Sequence, residues 1–144
     1  MKTVLVIVAV LIIAAIGAMA YMGIQSKSGS APGLVGAALT PCPDSPNCVS
    51  SEADTPSEKK VDALPVSAWA ELPAAVAAMG GRVTQTTDAY LAAEFTSKTF
   101  KFVDDVEFRL TDDAVHVRSA SRVGHSDGGV NAERIATLKT ELGL

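Results

Sequence analysis

Between Val117 and Asn131 the chain reads VRSASRVGHSDGGVN, which brings two arginines, three serines, a histidine, an aspartate and three glycines together. Arg118 and Arg122 carry planar donors suited to a carboxylate or a phosphate. Gly124, Gly128 and Gly129 run into the start of a helix, where free backbone N–H groups favour anions. These features make Arg118, Arg122, Ser126, Asp127 and Asn131 candidate ligand-binding residues, and Arg118, Arg122, Asp127 and Asn131 are expected to form one charged, hydrogen-bonded cluster that fixes the strand-to-helix loop. A plainer account stands beside it: Asp127 and Asn131 serve a tight turn, and the arginines lie on a solvated sheet face with Glu107 and Arg109. The glycines match neither a P-loop nor a dinucleotide fingerprint.

Catalysis has two candidate constellations. Gly124, His125, Ser126, Asp127 and Gly128 satisfy G-x-S-x-G, but the hydrolase elbow needs a base histidine after the serine, and none follows His125. Asp104 and Asp105, also candidate ligand-binding residues, could divide acid and base roles, yet adjacent residues usually point apart, and a loop role is the plainer reading. With no nucleophile, base and orienter at workable spacing, the leading expectation is a non-catalytic binding or structural module with an anion- or partner-binding polar surface. A small envelope hydrolase using His125 and Asp127, or Asp104 and Asp105, is the alternative. No cofactor is expected.

These residues need elements to hold them. VSAWAELPAAVAAMGG has helical composition, with Ser67 as a cap, Pro73 forcing a restart or kink, and Val66, Trp69, Leu72, Val76 and Met79 facing a core. RVTQTTDAYLAAEF reads as two strands turning near Thr87 and Asp88, and DVEFRLTDDAVHVRSAS as a hairpin turning at Asp112 and Asp113. Alternation directs Val106, Phe108, Leu110, Val115, Val117, Ser119 and Ser121 inward, and His116, Arg118, Ala120 and Arg122 to the other face. In NAERIATLKTEL, Asn131 is the expected N-cap and Ile135, Leu138 and Leu142 the buried stripe. The predicted fold is α+β: a four-stranded antiparallel sheet with two helices packed on one face, leaving the second face without a helix to cover it.

Before this domain, Val4 to Ile24 is an uncharged apolar run, long enough as a helix to cross a hydrocarbon core. It reads as a retained single-pass anchor in the cytoplasmic membrane with the remainder periplasmic or otherwise extracytoplasmic. The alternative is a signal cleaved after Ala20, which secretes the rest. Leu39, Thr40 and Pro41 before Cys42 do not make a lipobox. The chain divides into residues 1–24 as anchor, 25–40 as a flexible Gly-, Ser- and Ala-rich linker, and 41–144 as the exported domain. Export gives the two cysteines, Cys42 and Cys48, an oxidising setting in which a disulfide is expected. Zinc would need about four ligands, and only His116 and His125 are available as histidines; unpaired or redox-active thiols are the remaining reading. A net charge of -4 disfavours nucleic acid, so the expected partners are the membrane, through the N-terminal helix, and an anionic ligand or envelope protein.

CPDSPNCVSS from Cys42, DDVEFR from Asp104 and VRSASRVGHSDGGVNAERI from Val117 together resemble the bacterial and plant family called domain of unknown function 1499, over Pro41 to Leu144. The resemblance implies no activity. It implies signature positions at Cys42, Cys48, Asp104, Asp105, Arg118, Ser119, Ser121, Arg122, Ser126, Asp127 and Asn131. Against that pattern, His125 stands where an aromatic is usual and Gly128 where leucine is, which makes the G-x-S-x-G match an accident of substitution.

Overall fold

The protein is described by a computed structural model that covers residues 1–144. Helix α1 (Lys2–Ser26) leads into a two-stranded hairpin, β1 (Leu34–Val35) and β2 (Ala38–Leu39), then β3 (Cys48–Ser50). A 3-10 turn at Val66–Glu71 runs into α2 (Leu72–Ala78). Strands β4 (Arg82–Thr86), β5 (Tyr90–Thr96), β6 (Val103–Leu110) and β7 (Val115–Ser121) follow, and α3 (Val130–Glu141) closes the chain.

Strands β4 to β7 form the predicted meander, turning at the expected residues. The sheet nevertheless has five strands, in the order β3-β7-β6-β5-β4 and antiparallel throughout. The fifth, β3, adds to the β7 edge by pairing Cys48 with Ala120 and Ser50 with Arg118. It has three residues and polar flanks, too short to show a period of two. The Cys42–Cys48 disulfide ties this strand to the segment before it.

One sheet face carries the apolar alternation. Leu91 and Ala93 of β5, Val106 and Phe108 of β6, and Val115 and Val117 of β7 pack against Leu72 and Val76 of α2 and Ile135 and Leu138 of α3. Both helices therefore lie on this face, as the two apolar stripes require. Pro73 falls in the first turn of α2, where its missing N–H costs nothing, so the chain ahead of it is a 3-10 turn rather than one long helix. Val66 is exposed and is not a core residue.

The other face is also covered, contrary to the solvated surface expected from sequence. Leu39 packs on Tyr90 and Ala92 with Ala31 alongside, and Gly33 N–H donates to Glu107 at 2.7 Å. Segment 26–40, whose composition suggested a tether, lies over this face. Beneath it Glu107, Asp105, Arg118 and Ala120 are buried. α1 itself is exposed along most of its length and is long and apolar enough to cross a membrane or serve as a signal sequence.

Candidate functional site

The expected single cluster of Arg118, Arg122, Asp127 and Asn131 does not form. The pleat separates it into two networks on opposite faces of the sheet.

Under the 26–40 segment, each arginine meets a carboxylate. Arg122 forms a fork on Asp105, with Nε to Oδ2 at 2.8 Å and Nη2 to Oδ1 at 2.6 Å, and also reaches Glu94 at 2.6 Å. The hydrogen bond that Arg122 donates to Asp105 leads the causes that raise the Arg122 pKa, against the opposing effect of burial. Arg118 donates to Glu107 at 3.0 Å. Glu107 is fully buried and also accepts from the Tyr90 hydroxyl at 2.7 Å. Burial first, then that bond to an ionised carboxylate, raises the Tyr90 pKa. Arg109 forks onto Glu52 with both contacts at 2.8 Å, and Glu52 also accepts from Leu39 N–H. Burial works to raise the carboxyls of Glu52 and Glu94, but arginine hydrogen bonds and charge outweigh it and hold both below the usual carboxylate range. Each of these guanidiniums has a carboxylate partner inside the protein; Arg118 reaches its partner through Nη1 alone, and its Nε is buried without a partner.

On the helical face the centre is Asn131, which is not the N-cap. The helix starts one residue earlier from Gly129, whose φ of 88° is left-handed. Asn131 is fully buried in the first turn. It accepts from Ser119 Oγ at 2.6 Å and donates through Nδ2 to Asn47 O, Ser121 Oγ and Asp127 Oδ2. The capping role falls to Asp127, whose carboxylate accepts from Gly129 N–H at 3.0 Å and Asn131 N–H at 2.7 Å. Burial opposes ionisation of Asp127, and these backbone donors overcome it and lower its pKa. Arg134 joins the network, donating to Ser119, Asn131 and Asp104 while its guanidinium lies 5.0 Å from the Phe95 ring centre.

Asp104 and Asp105 lie in β6 rather than in a loop and point to opposite faces, one bound by Arg134 and the other by Arg122, so they do not form an acid–base pair. Sequence reasoning missed Arg134, Asn47, Glu94 and Tyr90. Only Arg134 left a signal, being three residues beyond Asn131 and hence on the same helical face.

A cavity of about 380 Å³ opens where α1 meets the 122–130 loop. Met19, Met22, Phe102, Val123 and Val130 supply its apolar walls, and Asp104, Ser121, His125, Ser126 and Asp127 its polar ones. It thus gathers five residues of the two catalytic constellations, Asp104, Gly124, His125, Ser126 and Asp127. Their hydrogen bonds are not those of a catalytic set. Ser126 Oγ accepts from Gly128 N–H, and the Asp127 oxygens are occupied at the helix start. His125 is exposed and bonds to neither.

A family model described as "Protein of unknown function (DUF1499)" matches residues 38–142. The chain belongs to this family. No curated protein and no solved structure matches it. The DUF1499 match starts at Ala38 and so includes Leu39, which seals the second sheet face. Within this DUF1499 domain Asp105, Arg118 and Arg122 belong to the network under the 26–40 segment, and Asp104, Ser119, Ser121, Asp127 and Asn131 to the one on the helical face.

Proposed function

We propose that this protein is a membrane-anchored, extracytoplasmic and non-catalytic binding module, and that its working surface is the cleft between α1 and the 122–130 loop. The observation that supports this reading is the composition of the cleft. Two methionines from the end of the apolar helix face serines, a histidine and carboxylates from the domain. Concave, mostly apolar walls with a few convergent polar groups are the usual form of a small-ligand site, and methionine adapts to flexible apolar partners. The ligand class that matches both walls is an amphiphile with an apolar part and hydrogen-bonding polar groups. An anion held by Arg118 and Arg122 is not supported, because both are engaged by carboxylates.

The hydrolase alternative draws on the convergence of Asp104, His125, Ser126 and Asp127 at the cleft. Against it stands the absence of a serine–histidine hydrogen bond and the structural occupation of both aspartates.

Native mass spectrometry of the full chain released gently from its membrane tests the reading. A bound amphiphile is expected on the wild type and is expected to be lost in Val123→Trp, which fills the cleft. Ester or phosphoester turnover that disappears in both Ser126→Ala and His125→Ala would replace the binding module with the hydrolase.

A further inference from the structure

The last turn of α1 is fastened to the domain at the connection between β5 and β6, at the start of β6 and at Arg122 just after β7. A Cβ on Gly23 would lie 1.8 Å from the Phe100 carbonyl oxygen, so only glycine permits this approach. Ser26 continues the attachment: its hydroxyl accepts from Val103 N–H at 3.0 Å, and its carbonyl accepts from Arg122 at 3.1 Å.

This attachment sets the height of the connection above a bilayer. The apolar run ends at Ile24, and about 21 helical residues span about 31 Å, close to the thickness of a hydrocarbon core. Because Met19 and Met22 of the same helix face the polar 122–130 loop, the core ends near Met19, and Phe100, beside Gly23 about 6 Å further along the helix, is at the level of the headgroups.

The connection, SKTFKF from Ser97 to Phe102, has the composition of an interfacial segment. Phe100 and Phe102 are half-buried with ring centres 6.1 Å apart. Lys98 and Lys101 are exposed, as is Lys27 at the end of α1, and none of the three takes part in an ion pair. No acidic residue occurs before Asp44 or between Phe95 and Val103. The nearest carboxylates in sequence, Glu94, Asp104 and Asp105, are each bound by an arginine. Aromatic rings concentrate at the headgroup level, and lysines at that level are drawn to anionic lipids.

We propose that the β5–β6 connection is a second membrane contact, in which Phe100 enters the headgroup layer and Lys98, Lys101 and Lys27 bind the phosphates of anionic lipids. The contact rests on the reading of α1 as a retained span. It would hold the domain upright with the cleft facing the membrane surface, and it does not depend on what the cleft binds.

The test is amide hydrogen exchange of the full chain in lipid nanodiscs, of phosphatidylcholine alone or mixed with phosphatidylglycerol. Amides from Lys98 to Lys101 are expected to exchange more slowly in the anionic discs, by roughly fivefold for each lysine engaged. The turn at Asp112 and Asp113, at the other end of β6, serves as an unchanged control. High salt and the Lys98→Glu, Lys101→Glu double variant should each abolish the difference. Equal exchange in both lipids, with the chain still in the bilayer after an alkaline wash, would overturn the contact and leave the anchor standing. Release of the chain by that wash would overturn both.

Discussion

Glu107 shows what the polar residues of this protein do. A carboxylate with no exposure would be untenable alone, and here it accepts from Arg118, from Tyr90 and from the backbone of Gly33. Removing one member of such a buried pair leaves the other charge without a partner, a loss of about 3–5 kcal/mol. Arg122→Ala, which strands Asp105 and leaves Glu94 with Arg82 alone, is therefore expected to lower unfolding free energy by about 3 kcal/mol in urea titration. Lysine at the same position should restore only part, because it lacks the fork that grips Asp105. Phosphate and sulfate should not raise the melting temperature of wild type or variant through this site; a saturable gain in the wild type alone would show that the arginine does bind anions. Acid should destabilise the fold in the carboxylate range. The pKa values of Glu52, Glu94 and Asp127 are lower in the folded than in the unfolded state, so their stabilisation is complete above the ordinary carboxylate values. It is lost as pH falls through the depressed ones. Arg122→Ala should flatten that dependence in part, by removing one of the two arginine partners of Glu94, which unfolding measured from neutral to acid pH would detect.

At the scale of elements, legibility in the sequence follows from how local each signal is. Strands β4 to β7 could be read because each runs for five or more residues and turns at polar residues, with apolar side chains at every second position, Val106, Phe108 and Leu110 in β6 and Val115 and Val117 in β7. β3 could not, since three residues pair with β7 only through contacts far away in sequence. The start of α3 misled for a related reason. Asn131 has the side chain of a cap, yet its amide is drawn inward by Ser119, Ser121 and Asn47, and Asp127 takes the capping role. The two residues are therefore expected to differ on substitution. Asp127→Ala should cost ~1 kcal/mol, the usual value of a cap. Asn131→Ala removes the centre of a buried network and leaves several groups unpaired, each worth about 1–3 kcal/mol, so its loss should be at least twice as large. Equal losses in chemical denaturation would mean that the helix start, and not the network, is the stabilising unit.

Across the whole molecule, the separation into anchor, linker and domain divides the sequence differently from the contacts. A segment rich in Gly, Ser and Ala carries no period, and nothing in its composition distinguishes a free tether from a strip lying on a sheet. The distinction is held by its partners: Gly33 against Glu107, Leu39 against Tyr90 and Ala92, Ser26 against Val103 and Arg122. Small side chains allow such a strip to follow the sheet closely, and its N–H groups satisfy carboxylates that the sheet has taken out of water. The sheet is thus a middle layer, with helices on one side and the start of the domain on the other. A chain beginning at Pro41 would expose Tyr90 and Ala92 and remove two backbone donors, one each to Glu107 and Glu52. It is expected to unfold at lower urea than a chain beginning at Tyr21. Its m-value should also be smaller, because less surface is exposed on unfolding. Glu107→Gln gives the complementary reading: it should cost less in the shorter chain, where the carboxylate has already lost one donor, than in the longer one. Identical midpoints and identical m-values for the two chains would show that residues 21–40 contribute nothing to the fold and act only as a tether.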